Sequence, residues 1–314
     1  MKISIVTSLY YSAPYLAEFY ERMRGEVQKL TSDYEFILVN DGSPDDVLPL
    51  ALKLVERDKR VVVVDLTRNF GHHNAILAGL RYATGDLIFV IDCDLEDDPA
   101  WLPAFYERLK SEPGVDAVYG VQRQRKGGLL ERWIGELFYS VFNWLSAIRI
   151  PRNTTTARLM TRRFTDSLLQ YDERDPFLNA LWHMVGYRQA GLQVTKGHKG
   201  TTTYSFRKKL HLFVTATTSF SDRPLVYTFY TGSLILFLSG AYITYLIVAR
   251  LFFDITVDGW TSVIVSLWFL GGLTIFFIGI VGIYLAKVYV ETKHRPRVLV
   301  REVYPDSARR DQGW

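Results

Sequence analysis

The stretch Glu35-Phe36-Ile37-Leu38-Val39-Asn40-Asp41-Gly42-Ser43-Pro44 has the form of an apolar strand that ends in a polar turn. Its run of consecutive apolar residues predicts a strand that is covered on both faces. Gly42 suits a sharp turn, and Ser43 and Pro44 suit the N-cap and the first position of a helix. The stretch therefore predicts one strand-turn-helix unit of a parallel sheet.

The same alternation of strands and helices extends over the first third of the chain. The runs that predict strands are Ile3 to Leu9, Glu35 to Asn40, Val61 to Leu66 and Leu87 to Ile91. The segments with apolar residues at helical spacing are Ala13 to Leu30, Pro44 to Asp58 and Gly71 to Ala83. We therefore expect an α/β fold with a mixed, mainly parallel sheet, whose ligands bind beyond the carboxyl ends of the strands.

Two long apolar stretches lie in the last third of the chain. No charged residue occurs from Pro224 to Ala249 or from Gly259 to Ala286. Each stretch is longer than the roughly 20 residues that cross a hydrocarbon core, whereas helices buried in soluble domains are seldom so long without a charge. The chain is therefore predicted to have two transmembrane helices within residues 224–289.

The charges beside these stretches predict how the helices are oriented. The basic residues of the outer flanks are Arg207, Lys208, Lys209, Arg223, Lys287, Lys293, Arg295 and Arg297. By the positive-inside rule, both flanks and both termini lie on the cytoplasmic side of the inner (plasma) membrane. No cleavable export signal is recognisable near Met1, and the single cysteine, Cys93, fits a reducing compartment.

Two further segments combine apolar and basic residues at helical spacing, residues 129–148 and 201–223. Either alone would fit a core helix, but beside a membrane hairpin and a basic stretch we favour amphipathic helices at the bilayer interface. The expected organisation is an α/β domain over 1–200, an interfacial helix over 201–223, the hairpin, and a cytoplasmic tail over 290–314. The net charge of +4 is too small to imply a nucleic-acid partner.

Five carboxylates follow the fourth predicted strand, namely Asp92, Asp94, Glu96, Asp97 and Asp98. Crowded carboxylates repel one another unless solvent or a cation intervenes, so the cluster favours a site for Mg²⁺ or Mn²⁺. Alternate residues of an extended segment point the same way, which brings Asp92 and Asp94 together with Glu96 within reach. An acidic loop that caps the next helix would account for Asp97 and Asp98, but not for Asp92.

His72 and His73 are a second candidate for metal binding. Adjacent histidines point apart, however, and no His or Cys partner lies at ligand spacing in the sequence. We favour positions at a helix start or in a pocket wall. The sequence also contains no phosphate-binding loop, dinucleotide fingerprint or GxSxG motif, which argues against the commonest other α/β chemistries.

Several motifs in this order resemble those of the GT-A glycosyltransferases of family 2. Within that family, the chain is similar to polyprenyl-phosphate glycosyltransferases such as dolichyl-phosphate mannose synthase and bacterial undecaprenyl-phosphate sugar transferases. The motifs are Val39 to Ser43, Arg68 to Gly71, Asp92 to Asp94, Arg158 to Met160, Ser221 to Leu225 and the closing apolar hairpin. The resemblance implies a nucleotide-sugar-binding domain and an inverting sugar transfer to a polyprenyl phosphate, undecaprenyl phosphate above all.

The resemblance also implies roles for individual residues. Those implied to line the nucleotide pocket are Ser8, Tyr10 and Asp41. Those implied to hold the metal and the diphosphate are Asp92, Asp94 and Glu96. Either Arg207 or Lys208 is implied to bind phosphate, as part of the cofactor-binding set. Those implied to hold the acceptor phosphate are Arg123, Arg125 and Arg158, with Asp94, Arg158 and Arg123 closest to the chemistry. The same arginines would also suit a membrane-facing surface that attracts anionic lipid.

The chain departs from the family pattern at several positions. The family usually has Pro, Asn and Glu at Ser8, Tyr11 and Ser12, Asp at Asn40, and an acid at Thr156. A sugar hydroxyl would need a base to act as nucleophile, whereas a phosphate monoester carries about 1.5 to 2 negative charges near neutral pH. The departure at Thr156 is therefore compatible with a phosphate acceptor.

Two other hypotheses stay open. One is a membrane glycosyltransferase that uses a glycan or another lipid as acceptor. The other is a non-catalytic membrane scaffold that binds a nucleotide sugar, which Thr156 supports and the intact Asp92 and Asp94 oppose. The oligomeric state is also open, with a homo-oligomer among the alternatives. Because a two-helix hairpin is too small to form a translocation path, a separate flippase is expected for a lipid product.

Overall fold

The computed structural model describes residues 1–122, 151, 153–174, 176–196, 223–253 and 259–306. The predicted interfacial segments 129–148 and 201–223 lie outside these residues, except for Arg223. So do four predicted phosphate-binding residues, Arg123, Arg125, Arg207 and Lys208. The chain forms two compact units, of which one contains the sheet together with the chain from Arg295 onward, and the other contains two long apolar helices.

Among the described residues, eight strands form one mixed sheet: β1 (Ile3–Leu9), β2 (Tyr34–Asn40), β3 (Val61–Leu66), β4 (Leu87–Val90), β5 (Ala117–Gln122), β6 (Thr154–Thr161), β7 (Gln189–Val194) and β8 (Val300–Tyr304). Their order across the sheet is β7-β5-β6-β4-β1-β2-β3-β8. Strands β4, β1, β2 and β3 are parallel, as are β5 and β7, whereas β6 and β8 are antiparallel to their neighbours. The predicted α/β fold with a mainly parallel sheet is confirmed.

The helices of this unit cover both faces of the sheet: α1 (Ala13–Gln28), α2 (Val47–Arg57), α3 (His72–Tyr82), α4 (Trp101–Ser111), α5 (Arg162–Leu168) and α6 (Leu178–Met184). One hydrophobic core includes side chains of α1, α2 and α4, and a second includes side chains of α3, α5 and α6. Strand β2 is buried along its whole length, as its unbroken apolar run predicts.

Helix α2 begins at Val47 rather than at Pro44, so the prediction of Ser43 as its N-cap is wrong. The Ser43 hydroxyl instead donates to Oδ1 of Asp45 over 2.5 Å. It also accepts the backbone N–H of Tyr11 over 2.8 Å. Ser43 therefore connects the loop after β2 to the loop after β1, which is a long-range contact that N-cap preferences do not reveal.

Strand β8 comes from the segment that the sequence assigns to the tail. It pairs antiparallel with β3 at the edge of the sheet. Val298 and Val303 enter the hydrophobic core, and Nη2 of Arg297 lies 2.5 Å from Oδ1 of Asp172. The chain that follows the apolar helices thus completes the α/β unit.

The second unit contains α7 (Arg223–Phe253) and α8 (Trp260–Thr292). Each includes a window long and apolar enough to cross a membrane, Arg223–Tyr242 with a mean hydropathy of 1.3 and Ser266–Thr292 with 2.2. Neither window is buried within the protein, unlike a core helix of a soluble domain. These helices match the two predicted spans in place and character, and their orientation in a membrane stays a prediction.

Gly42 lies where the loops after β2 and β3 approach most closely. Its φ is +57°, and a Cβ would lie 2.5 Å from the backbone nitrogen of Asn69 and 2.7 Å from Cα of Arg68. We expect Gly42→Ala to lower the free energy of unfolding by about 2 to 4 kcal/mol, measured by thermal unfolding in detergent. Gly114→Ala is the control, because Gly114 has φ +84° with open space around a Cβ. It should cost about 1 kcal/mol, and equal losses would show that the close approach does not matter.

Candidate functional site

The predicted polar loops lie at one edge of the sheet. Strands β4, β1, β2 and β3 are neighbours and parallel, so their carboxyl ends are side by side. They are followed by Asp92–Asp98, Tyr10–Tyr11, Asp41–Ser43 and Arg68–Gly71, respectively. This edge is where ligands of open α/β sheets bind, and it is the candidate site.

Asp92 lies just beyond the carboxyl end of β4, which is paired with β1. Burial and the negative charge of Asp94 raise the pKa of Asp92 to about 6. The charge of Lys196 and a hydrogen bond with the side chain of Thr156 act in the opposite direction. The surroundings of Asp92 therefore disfavour the ionised form of its carboxylate. Groups with pKa values shifted in this way cluster at functional sites.

His72 connects the ends of β1 and β4. Its Nδ1 shares a hydrogen bond with Oγ of Ser8 over 2.8 Å, and its Nε2 lies 3.4 Å from Oδ1 of Asp92. Burial lowers the pKa of His72, which favours a neutral ring that donates at one nitrogen and accepts at the other. His72 is the first residue of α3, whereas His73 contacts the carbonyl oxygen of Pro176, so the two histidines diverge as predicted.

Lys196, just beyond β7, provides a cation that sequence reasoning missed. Its Nζ lies 3.0 Å from Oδ1 of Asp97 and 3.7 Å from Oε2 of Glu96. Asp97 is fully buried and also accepts the backbone N–H of Ala157 over 3.2 Å. Burial nevertheless raises the pKa of Asp97 to about 6. A single lysine after a strand has no motif around it, so only the fold identifies this partner.

The acidic loop caps α4 only in part. Asp98 accepts the backbone N–H of Ala100 over 3.0 Å, close to the start of the helix. The alternative of a capping role does not hold for Asp97, because its carboxylate points inward to Lys196. Leu95 has φ +62°, a backbone conformation that costs energy for a leucine and that is enriched at functional sites.

Asp92 and Asp94 fit the protein's share of a divalent-metal site. In the part of the chain that the structure describes, no three His, Cys, Asp or Glu side chains form a complete site. The two carboxylates nevertheless interact electrostatically, and a cation would relieve the unfavourable charge of half-buried Asp92. Mg²⁺ is commonly bound by one or two carboxylates together with substrate phosphates. Glu96, the third predicted ligand, faces Lys196.

The predicted nucleotide-pocket residues lie at the ends of β1 and β2. The rings of Tyr10 and Tyr11 meet edge to face with centroids 4.8 Å apart, and Tyr10 is 46% exposed. Asp41 is buried and accepts the backbone N–H groups of Phe70 and Gly71 over 2.7 and 3.0 Å. Burial raises the pKa of Asp41 although these bonds oppose the shift. Asp41 therefore holds the loop after β3, and its contact with a nucleotide stays a prediction.

Arg158 occupies an aromatic cage. Its guanidinium is fully buried, 4.0 Å from the ring centroid of Trp182 and 4.9 Å from that of Tyr119. Its Nη1 donates to Oε1 of Gln189 over 2.5 Å. Burial lowers the pKa of Arg158 to about 9, and no carboxylate among the described residues forms a salt bridge with it. Asp92, Asp94 and Ser8 thus lie at the same edge of the sheet, whereas the side chain of Arg158 is buried inside the protein.

Comparison with known proteins places these loops in a family. Residues 4–174, which include every loop of this edge, match glycosyl transferase family 2. The chain belongs to this family. The resemblance inferred from its motifs is thereby confirmed.

The relatives of this family 2 glycosyltransferase match it over nearly its full length. A protein of Mycobacterium tuberculosis (strain CDC 1551 / Oshkosh), described only as a glycosyltransferase, is 48% identical over 97% of this chain and 89% of its own. The bactoprenol glucosyl transferase of Shigella phage SfV is 32% identical over 96% of this chain and 98% of its own. Among solved structures, the chain is similar to a mannosyltransferase of Pyrobaculum calidifontis in complex with GDP-Man and Mn²⁺. The two are 17% identical, with a TM-score of 0.49, and the match covers 91% of this chain and 84% of the mannosyltransferase.

The stability of this family 2 glycosyltransferase should depend on the ion pair between Lys196 and Asp97. Lys196→Met should lower the free energy of unfolding by about 3 to 5 kcal/mol, because it leaves Asp97 buried without its cation. Thermal unfolding in detergent measures the loss. The control is Lys29→Met, which removes an exposed lysine paired with Glu26 at 2.7 Å and should cost less than about 1 kcal/mol. Similar small losses for both would contradict the role of Lys196.

Proposed function

We propose that this enzyme transfers a sugar, with inversion, from a nucleotide-sugar donor to a polyprenyl phosphate at the cytoplasmic face of the membrane. One observation carries the proposal: the carboxylate pair of Asp92 and Asp94 is intact, while the position of the usual acid holds Thr156, whose side chain lowers the pKa of Asp92. Such a site suits an acceptor that is an anion before it binds. The likeness to a bactoprenol glucosyl transferase over almost the whole chain supports the same acceptor class.

On the donor side, Asp92 and Asp94 would hold Mg²⁺ or Mn²⁺, which when bound neutralises charge on a departing diphosphate. His72 and Thr156 would help to orient the Asp92 carboxylate, since His72 Nε2 lies 3.4 Å from its Oδ1 and the Thr156 side chain lowers its pKa. Lys196 offsets the charge of Asp97 and Glu96, so that the acidic edge repels an anionic donor less. These side chains would orient the donor rather than form a covalent bond with it.

On the acceptor side, a phosphate oxygen forms a bond to the anomeric carbon while the bond from that carbon to the diphosphate oxygen breaks on the opposite face. Such a nucleophile needs positioning and charge neutralisation more than it needs deprotonation. Arg158 is a fully buried cation that lacks a carboxylate partner among the described residues, and we assign it to positioning the residues beside the acceptor rather than to contact with it. Arg123 and Arg125 would contact the acceptor phosphate directly.

The apolar helices α7 and α8 would anchor the enzyme from the cytoplasmic side, with the basic flanks inside. An anchor confines the enzyme to the surface in which polyprenyl phosphates lie, which raises the effective concentration of the acceptor. Movement of the product across the membrane is assigned to a separate protein.

Transfer of radiolabelled sugar into butanol-extractable lipid tests the reaction. Purified protein, undecaprenyl phosphate and a panel of nucleotide sugars should give acid-labile labelled lipid with Mg²⁺ or Mn²⁺ and none with EDTA. Asp94→Asn should lower turnover by about 10²-fold or more, because the diphosphate loses charge compensation. Asp86→Asn is the control, since Asp86 lies at the opposite end of β4 and is 69% exposed.

Two outcomes would contradict this proposal. Label in an acid-stable lipid or a glycan would identify a different acceptor. Donor binding without transfer across a wide acceptor panel would favour a nucleotide-sugar-binding scaffold.

Thr156 provides a second test. Thr156→Val should lower the turnover number about tenfold, because Asp92 loses a hydrogen bond that favours its charged form. The neighbouring Thr155→Val is a matched control, since the Thr155 hydroxyl is buried and has no hydrogen-bond partner in the described part of the chain. It should change turnover by less than about twofold. Equal effects would show that the Thr156 hydroxyl does not act through Asp92.

A further inference from the structure

A polar network runs from the C-terminal strand to the turn after β2. On β8, Nη1 of Arg301 lies 3.2 Å from Oδ2 of Asp65, and Nη2 donates to the carbonyl oxygen of Thr67 over 2.9 Å. Oδ1 of Asp65 accepts from Nδ2 of Asn40 over 2.7 Å. Oδ1 of Asn40 in turn accepts the backbone N–H of Ser43 over 3.2 Å. Arg301 is thus connected to the turn through two side chains.

The middle of this network is inaccessible to solvent. Asp65 and Asn40 are 1% and 3% exposed, whereas the side chain of Arg301 is 57% exposed. Asn40 donates to one carboxylate oxygen of Asp65, and Arg301 donates to the other. A buried carboxylate that loses a partner is left with an unmet hydrogen-bonding need, so the Asp65 side chain depends on Arg301 for its position.

The orientation of Asn40 follows from Asp65. Because the Asn40 amide nitrogen donates to Asp65, its oxygen is directed to the N–H of Ser43. An aspartate at position 40 would set two carboxylates against each other at 2.7 Å, which is repulsive in a buried place. The amide at this position is therefore matched to the carboxylate at Asp65.

The turn that Asn40 holds is connected to two other loops of the site. Ser43 accepts the backbone N–H of Tyr11 in the loop after β1. Asp41 accepts the N–H groups of Phe70 and Gly71 in the loop after β3. A displacement of the turn would therefore displace three loops at the carboxyl edge.

We propose that Arg301 is a positioning residue for donor binding. Together with Asp65 it orients Asn40, and Asn40 keeps the three loops in the geometry that binds the nucleotide. This inference rests on the proposed function, because it deepens the account of the same donor site. The strand that follows the apolar helices thus contributes to donor affinity without contacting the donor.

Steady-state kinetics test this role. Arg301→Ala should raise KM for the donor about tenfold, with the turnover number and KM for the acceptor changed by less than about twofold. Arg301→Lys should recover part of the loss, since an ammonium also donates to Asp65. The matched control is Arg188→Ala. Arg188 is 58% exposed and likewise contacts one carboxylate oxygen, of Glu112 at 2.5 Å, and one carbonyl oxygen, of Pro113 at 3.2 Å.

The control should leave the donor KM unchanged. An unchanged donor KM in Arg301→Ala, or an equal rise in Arg188→Ala, would overturn the proposal.

An exchange of the two buried groups tests the middle of the network. Asn40→Asp should raise the donor KM about tenfold, because it opposes two carboxylates. The double variant Asn40→Asp, Asp65→Asn restores one amide and one carboxylate, and its donor KM should return to within about twofold of the wild-type value. A double variant as impaired as the worse single variant would refute the proposed orientation of Asn40.

Amide hydrogen exchange separates this proposal from the reaction itself, because it needs neither donor nor acceptor. Arg301→Ala should speed exchange at Ser43, Phe70 and Gly71 about tenfold, whereas Arg188→Ala should not. Unchanged protection at these amides would overturn the positioning role even if sugar transfer is observed. Faster exchange in a protein that transfers no sugar would support the network and refute only the proposed function.

Discussion

Negative charge is concentrated at the carboxyl end of β4, and the repulsion within it is the constraint on which the site depends. Asp92 and Asp97 are both held where burial raises the pKa to about 6. Lys196 after β7 offsets this charge, and two neutral side chains, His72 at the start of α3 and Thr156 on β6, lie against Asp92. The acidic edge can therefore exist only in the folded sheet, where a metal and a diphosphate would complete the charge balance.

Hydrogen bonds from side chains to backbone groups hold the neighbouring loops. Asp41 and Ser43 connect the turn after β2 to the loops after β3 and β1, and Gly42 allows the close approach. Asn40 and Asp65 extend these connections to β8, which follows the apolar helices in the chain. The loops at this edge are thus connected to residues that are remote in the chain.

Much of the fold could be predicted because its signals are local. Strands β1 and β3 begin and end where their apolar runs do, and α1 and α3 follow their helical spacing. Strand β8 could not be predicted, because its five residues include the charged pair Arg301 and Glu302 and gain stability only by pairing with β3. The start of α2 was misplaced for a similar reason, since Ser43 bonds to a distant loop rather than to its own helix.

The sequence by itself determined the α/β class, the two long apolar helices and the resemblance to glycosyl transferase family 2, because periodicity, uncharged length and motif order are properties of neighbouring residues. Only the tertiary structure decided which charged groups meet. Lys196 pairs with Asp97, Arg301 with Asp65, and Arg158 lies in an aromatic cage. Coulomb energy and hydrogen bonding depend on distances between strands, and these distances arise only when segments remote in the chain are brought together.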